Sequence, residues 1–118
     1  MNQLADYHAD EGGNTFVYHW RYPGENEIRG ACHNIELIYV FGNLEETRYT
    51  GNKVNEELSD IVQEMWANFA NTGDPSTSEY KWEPYDTEKR KFMVLDEKIE
   101  MEENYKSEQR ELIELFII

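Results

Sequence analysis

The clearest pattern along the chain lies between Glu56 and Ala70. Leu58, Ile61, Val62, Met65, Trp66 and Phe69 recur at the spacing of one apolar stripe on an α-helix. Asn55 can cap the start of this helix, Gly73 can end it, and Pro75 lies just beyond. A different period governs "TFVYHWRY", Thr15 to Tyr22. Phe16, Tyr18, Trp20 and Tyr22 alternate there with Val17, His19 and Arg21. Both faces are bulky, which predicts a central strand, and Pro23-Gly24 breaks it. Further on, "KFMVLD" and "KIEMEEN" predict two short strands, with Asp96-Glu97 near a tight connection. Lys98, Glu100 and Glu102 alternate with Ile99, Met101 and Glu103, the pattern of an edge strand with one wet face.

Between these elements the pattern is weaker. Residues 3–10 can form the end of a helix that Gly12-Gly13 terminates. Residues 24–34 read as loop. "IELIYVFG", Ile35 to Gly42, is apolar but too short for its period to separate helix from strand. "NLEETRYTGNKVN" and "DPSTSEYKWEPYDTEKR" read as loops. "SEQRELIELFII" starts at Ser107, a good cap, and reads as a helix. Strand, loop, helix, hairpin, helix predicts a small α/β unit with a mixed sheet, one domain over residues 1–118. Two features sit badly with a self-sufficient domain. The Thr15–Tyr22 strand has few partners to flank it, and "LIELFII" needs a surface to pack on.

Composition narrows the function classes. The 118 residues carry 25 acidic and 11 basic side chains, a net charge of -14. No Lys/Arg cluster offers a footprint for nucleic acid or for an anionic membrane. The acidity itself reads first as solubility. Aromatic residues make up 14% of the chain, which argues for a packed core rather than disorder. Cys32 is the single cysteine, so no internal disulfide can form. "MNQLADYHADEGGN" has no apolar core of a signal peptide, and no apolar run is long enough to span a bilayer. The expectation is a cytoplasmic chain.

The candidate chemistry centres on His33. Ser59, Ser76, Ser78 and Ser107 all lie outside any Gly-x-Ser-x-Gly turn, the arrangement that lifts a serine to the top of an α/β-hydrolase sheet. Cys32 neighbours His33, yet adjacent residues do not orient their side chains as a Cys–His pair requires, and a small buried thiol is the plainer reading. His33 and Glu36 are three residues apart and could share a helix face, but without further ligands at matching spacing no metal and no cofactor is expected. The pairs Glu45-Glu46, Glu56-Glu57 and Glu102-Glu103 read as solvated faces. His8 reads as surface and His19 as structural. His33, in a loop just past a strand, is either an ordinary loop histidine or a general base reaching into a site.

"GACHNIELIYVFGN", Gly30 to Asn43, resembles the histidine segment of type-B carboxylesterases, the group of para-nitrobenzyl esterases and cholinesterases. The pattern Gly-Ala/Val-x-His-x-x-Glu-Leu, then an apolar pair, then Val-Phe-Gly is met by Gly30, Ala31, His33, Glu36, Leu37, Tyr39, Val40, Phe41 and Gly42. "LSDIVQEMWANFANTGDPS" is similar to the late helix of the same family through Leu58, Ser59, Trp66, Phe69, Ala70, Thr72, Gly73, Asp74 and Pro75. "KWEPYD", with Glu83 between Trp82 and Pro84, and then Arg90 with "FMVLD", resemble its terminal segments. The likeness runs from about Thr15 to the C-terminus.

This resemblance implies the C-terminal part of an α/β-hydrolase fold. It makes His33 the triad base and Glu36 a residue that holds the histidine loop. The serine, the triad acid and the oxyanion-hole glycines would lie upstream, so the chain alone is expected to be inactive on carboxylic esters. Its expected partner is the missing N-terminal portion of such a hydrolase. The alternative is a non-catalytic remnant that self-associates through exposed apolar faces or a free strand edge.

Overall fold

The structure is a computed structural model that describes residues 2–25 and 28–114. Three strands form one mixed sheet in the order β1-β2-β3. β1 is Tyr18–Trp20, β2 is Lys91–Leu95 and β3 is Glu100–Glu103. β1 pairs parallel with β2, Tyr18 opposite Met93 and Trp20 opposite Leu95. β2 and β3 form the antiparallel hairpin that the sequence predicts, with Lys91 opposite Glu103. Residues 96–99 connect them, and the Asp96 carboxylate accepts the Glu97 amide at 2.8 Å.

Five helices accompany this sheet among the described residues: α1 (Asn2–Asp10), α2 (Ile35–Val40), α3 (Thr47–Thr50), α4 (Glu56–Thr72) and α5 (Ser107–Glu114). α4 follows its apolar stripe closely. Leu58, Val62 and Met65 are buried on one side. Asn55 Oδ1 accepts the Leu58 amide at 3.0 Å, a cap worth about 1 kcal/mol. Gly73 ends the helix in the left-handed conformation, φ 79°, which a glycine adopts without steric cost.

Several expectations change. The strand expected over Thr15–Tyr22 is regular only over Tyr18–Trp20. Its flanks still hold to β2: the Met93 amide donates to the Val17 carbonyl, and the Arg21 amide to the Leu95 carbonyl. Both faces of β1 carry ring contacts, although Tyr18 stays partly exposed. Tyr18 packs on Trp66 of α4, and His19 on Phe92 and Tyr105. Yet β1 stands at the end of the described sheet, and β2 holds the middle. The undecided segment from Ile35 is helical as α2, because Ile35, Ile38 and Tyr39 fall together on the buried side. α3 stands in a stretch read as loop. Glu46 starts it by accepting the Arg48 amide at 2.9 Å, a local side-chain bond that no apolar periodicity signals. Leu112 and Ile113 of α5 are exposed. The apolar end at 115–118, expected to need a packing surface, lies outside the described residues.

The core gathers where α2 and α4 meet the sheet. Trp20, Ile35, Ile38, Tyr39, Leu58, Val62, Met65, Trp82, Met93 and Leu95 form its buried cluster. Ser59 is also buried, and its hydroxyl donates to the Tyr39 carbonyl at 2.8 Å. Gln63 Nε2 donates in turn to Ser59 Oγ at 2.9 Å. One polar contact thus fixes α2 against α4 inside an otherwise apolar seam.

A second polar cluster ties α1 to the far end of the chain. Asp6 Oδ1 accepts from the Arg90 guanidinium and from the Tyr85 hydroxyl, and Arg90 Nη1 lies 2.8 Å from Tyr85 Oη. Burial works to raise the Asp6 pKa, but the bonds and charges from Arg90 and Tyr85 outweigh it and hold the carboxyl below its ordinary 3.8. Burial, together with the bond to Asp6, pushes the Tyr85 hydroxyl up to about 12 from 10.0.

The two shifts act at opposite ends of the pH scale. A depressed carboxyl contributes stability above its unfolded pKa and loses it as pH falls through the folded value. A raised phenol contributes below its unfolded pKa and loses that as pH rises through the folded one. Asp6→Asn is therefore expected to lower stability at neutral pH by about 1–3 kcal/mol and to shrink the loss of stability below about pH 4. Tyr85→Phe should flatten the alkaline limb between pH 10 and about 12. Urea titrations across pH check both, and unchanged limbs would refute the assignment.

Candidate functional site

His33 lies in the turn between β1 and α2, and its side chain is exposed. The backbone of this turn is well determined on its helical side. The Ile35 amide donates to the Cys32 carbonyl and the Leu37 amide to the Asn34 carbonyl, both at 3.2 Å. Asn34 takes a left-handed conformation, φ 70°, which asparagine tolerates better than other side chains with a Cβ. Ile35 then enters the core with no exposed surface. The result is a histidine projecting from a pinned turn. Among the described residues no hydrogen bond engages its ring.

Glu36 lies in the first turn of α2, where a negative charge suits the helix dipole. Tyr18 Oη of β1 donates to Glu36 Oε1 at 3.4 Å, a long bond. Burial raises the Tyr18 pKa, and the charge of Glu36 and this bond raise it further. Strand β1 and helix α2 are thus linked directly across the base of the histidine turn. No local pattern places Tyr18 here; its position in the aromatic alternation marks it only as a packing residue.

The other candidates separate from this turn. Cys32 is half-buried and packs against the core as a free thiol. Ser59 is committed to the Tyr39 carbonyl. Ser76 Oγ accepts the Trp82 amide at 2.9 Å, which closes the loop behind α4. His19 sits between Phe92 and Tyr105 and accepts from Arg21 Nε at 3.2 Å, a structural setting. Burial lowers its pKa, and the Arg21 charge lowers it further. Glu102, read as solvated, instead holds Arg21 through both of its carboxylate oxygens. Among the described residues no three His, Cys, Asp or Glu side chains gather as a metal site.

Beside β1 runs an open groove of about 170 Å³, lined by Phe16, Tyr18, Met65, Trp66, Phe69, Pro75 and Trp82. Its walls are aromatic rings in mutual edge contact: Tyr18 on Trp66 at 5.2 Å, Phe16 on Phe69 at 6.1 Å. Phe16, Tyr18, Trp66 and Phe69 are visible in the sequence as parts of an alternation or a stripe, whereas Trp82 lies in a segment read as loop. Their convergence depends on α4 crossing the face of β1, which local patterns do not encode.

The comparisons with known proteins decide the lineage. The carboxylesterase family model matches residues 1–113.

The chain belongs to the carboxylesterase family.

The match begins before Thr15, so α1 is part of the family segment as well. The chain is 37% identical over 100 residues to para-nitrobenzyl esterase of Bacillus subtilis, covering 81% of this chain and 20% of that protein. It is 33% identical over 84 residues to acetylcholinesterase 1 of Caenorhabditis elegans, covering 67% of this chain and 14% of that protein. Among solved structures, a para-nitrobenzyl esterase superposes with a TM-score of 0.73 at 33% identity, over 84% of this chain and 21% of its own. A carboxylesterase of Geobacillus stearothermophilus does so with a TM-score of 0.78 at 26% identity, over 94% of this chain and 24% of its own. The chain thus spans between 14% and 24% of the length of these proteins, and its sheet and helices are the C-terminal part of an α/β-hydrolase fold.

The Tyr18–Glu36 contact can be checked in solution. Glu36→Gln removes the charge that opposes ionisation of Tyr18, so the Tyr18 pKa should fall toward its ordinary 10.0. An NMR titration of ring-labelled tyrosine reads this site by site. An unmoved Tyr18 titration would show that Glu36 does not face it.

Proposed function

We propose that this chain is the histidine-bearing segment of a serine carboxylesterase, with His33 as the general base. The observation that carries the reading is the setting of His33: an exposed ring on a pinned turn, in a segment of carboxylesterase sequence. In ester hydrolysis the imidazole takes the proton of a serine hydroxyl as that oxygen attacks the acyl carbon. It then hands the proton to the departing alcohol. Glu36 is a positioning residue in this scheme, acting through Tyr18 and α2 on the slope of the turn. The serine, the triad acid and the backbone donors that stabilise the oxyanion come from the remainder of the fold.

The reading predicts no turnover by the chain alone. It predicts hydrolysis of short acyl esters when the chain replaces the matched segment of Bacillus subtilis para-nitrobenzyl esterase. His33→Ala in that chimera should lower kcat by roughly 10⁴-fold or more with little change in KM. Glu36→Gln should cost far less and shift the pH profile rather than abolish activity. A folded chimera whose activity survives His33→Ala would refute the role of His33. A folded but inactive chimera would favour the non-catalytic remnant.

A further inference from the structure

His19, a histidine that the ester chemistry leaves unused, sits where the last described helix is attached. α5 makes sparse contact with other elements, and its Leu112 and Ile113 are exposed. The turn that follows β3 joins it to the sheet. There the Asn104 amide donates to the Arg90 carbonyl at 3.1 Å. Next in the chain, the Tyr105 ring lies 4.6 Å from the His19 ring of β1 and 5.7 Å from Phe92 of β2. Asn104 and Lys106, on either side of Tyr105, both take left-handed conformations, φ 56° and 48°. Asparagine tolerates this backbone, whereas lysine adopts it at a steric cost. The stacked ring therefore sits in a turn that holds strain.

The partners of the His19 ring suit one protonation state. Its Nδ1 accepts from Arg21 Nε at 3.2 Å, so that nitrogen carries no proton. The Arg21 guanidinium meets Glu102 of β3 through two bonds, of 2.6 and 3.3 Å. Lys106 Nζ stands over the Tyr105 ring, 5.2 Å from its centre. The charges that face His19 are thus Arg21 just past β1, Lys106 in the turn and Glu102 on β3, while β2 presents Phe92. Burial lowers the His19 pKa, Arg21 and Lys106 lower it further, and Glu102 offsets part of this.

We propose that His19 is an acid-operated latch: its neutral ring holds Tyr105, and its protonation releases Tyr105 and frees α5. A proton on Nδ1 turns the acceptor into a donor that faces the Arg21 N–H, and that bond breaks. The same proton sets a third positive charge beside Arg21 and Lys106, against the one carboxylate of Glu102. Release lets the backbone at Lys106 leave its left-handed conformation. α5 has eight residues, and isolated helices below about 12 residues are marginal in water, so it melts once the turn lets go. The stability that depends on neutral His19 is present above the ordinary histidine value of 6.5 and is lost as pH falls through the lower folded value. The latch is independent of the role of His33.

NMR reads the latch and the helix in the same sample of the full chain. The Hε1 shift of His19 gives its titration, and backbone ¹⁵N relaxation gives the order of Ser107–Glu114. Their order parameters should be about 0.85 at about pH 7.5 and fall below about 0.6 once His19 is protonated. Both signals should share one midpoint, below pH 6.5. His19→Phe keeps a ring against Tyr105 without a proton site, so α5 should stay ordered down to about pH 5. Lys106→Gln removes an exposed repelling charge, and both midpoints should rise together. An α5 that stays ordered while His19 titrates would overturn the latch. So would a His19 that stays neutral down to about pH 4. An α5 that loosens in His19→Phe over the same pH range, or whose midpoint does not follow that of His19 in Lys106→Gln, would overturn it as well. Where His19→Phe fails to fold, the Lys106→Gln comparison decides alone, because Lys106 is exposed.

Discussion

The parallel pairing of β1 with β2 is the contact on which the rest depends. It joins residues 18–20 to residues 93–95 and so brings the early part of the chain beside its late hairpin. Parallel strands cannot be joined by a tight turn; they need a crossover long enough to return to the same end of the sheet. Here the crossover contains the histidine turn, α2, α3 and α4. Every one of these elements is placed by the requirement that it start at the exit of β1 and finish at the entry to β2. Among the described residues the chain has one wide loop of that kind, and the functional candidates lie at its first bend.

Closing that loop costs entropy, which is recovered where α2 and α4 share the core. The apolar part of this recovery is large and unspecific: Ile35, Tyr39, Val62 and Met65 have no exposed surface. The polar part is small and specific. Ser59 donating to the Tyr39 carbonyl sets the register of two helices that apolar packing alone would allow to slide. Asp6 with Arg90 and Tyr85 does the same for α1, which makes only sparse contact with other elements.

How much of this was legible depended on the range of the signal. The α4 stripe, the Asn55 cap and the Gly73 stop are local, and the helix runs where they place it. The β2–β3 hairpin is local too. α2 was undecided because six residues carry less than two helical turns, and its type follows from which side is buried rather than from its period. β1 reads as interior by bulk on both faces, and rings pack against both; that it ends the described sheet is a matter of strand order, which long-range pairing sets and a local pattern does not carry. Of the candidate site, His33 and Glu36 are singled out through motif resemblance. Tyr18 is not, because its approach to Glu36 spans eighteen positions and arises only after α2 folds back over β1.

The fixed start of α2 has a geometric consequence for the imidazole. Ile35 is immobilised in the core, and His33 lies two peptide units before it. At roughly 3.6 Å of reach per residue, the Cα of His33 stays within about 7 Å of that anchor whatever the turn does. The side chain is therefore on a short tether: free to rotate about its own bonds, but confined to a small volume of space beside the end of β1. A ring held in this way searches rotamers rather than loop conformations, on the timescale of picoseconds to nanoseconds and not of loop opening.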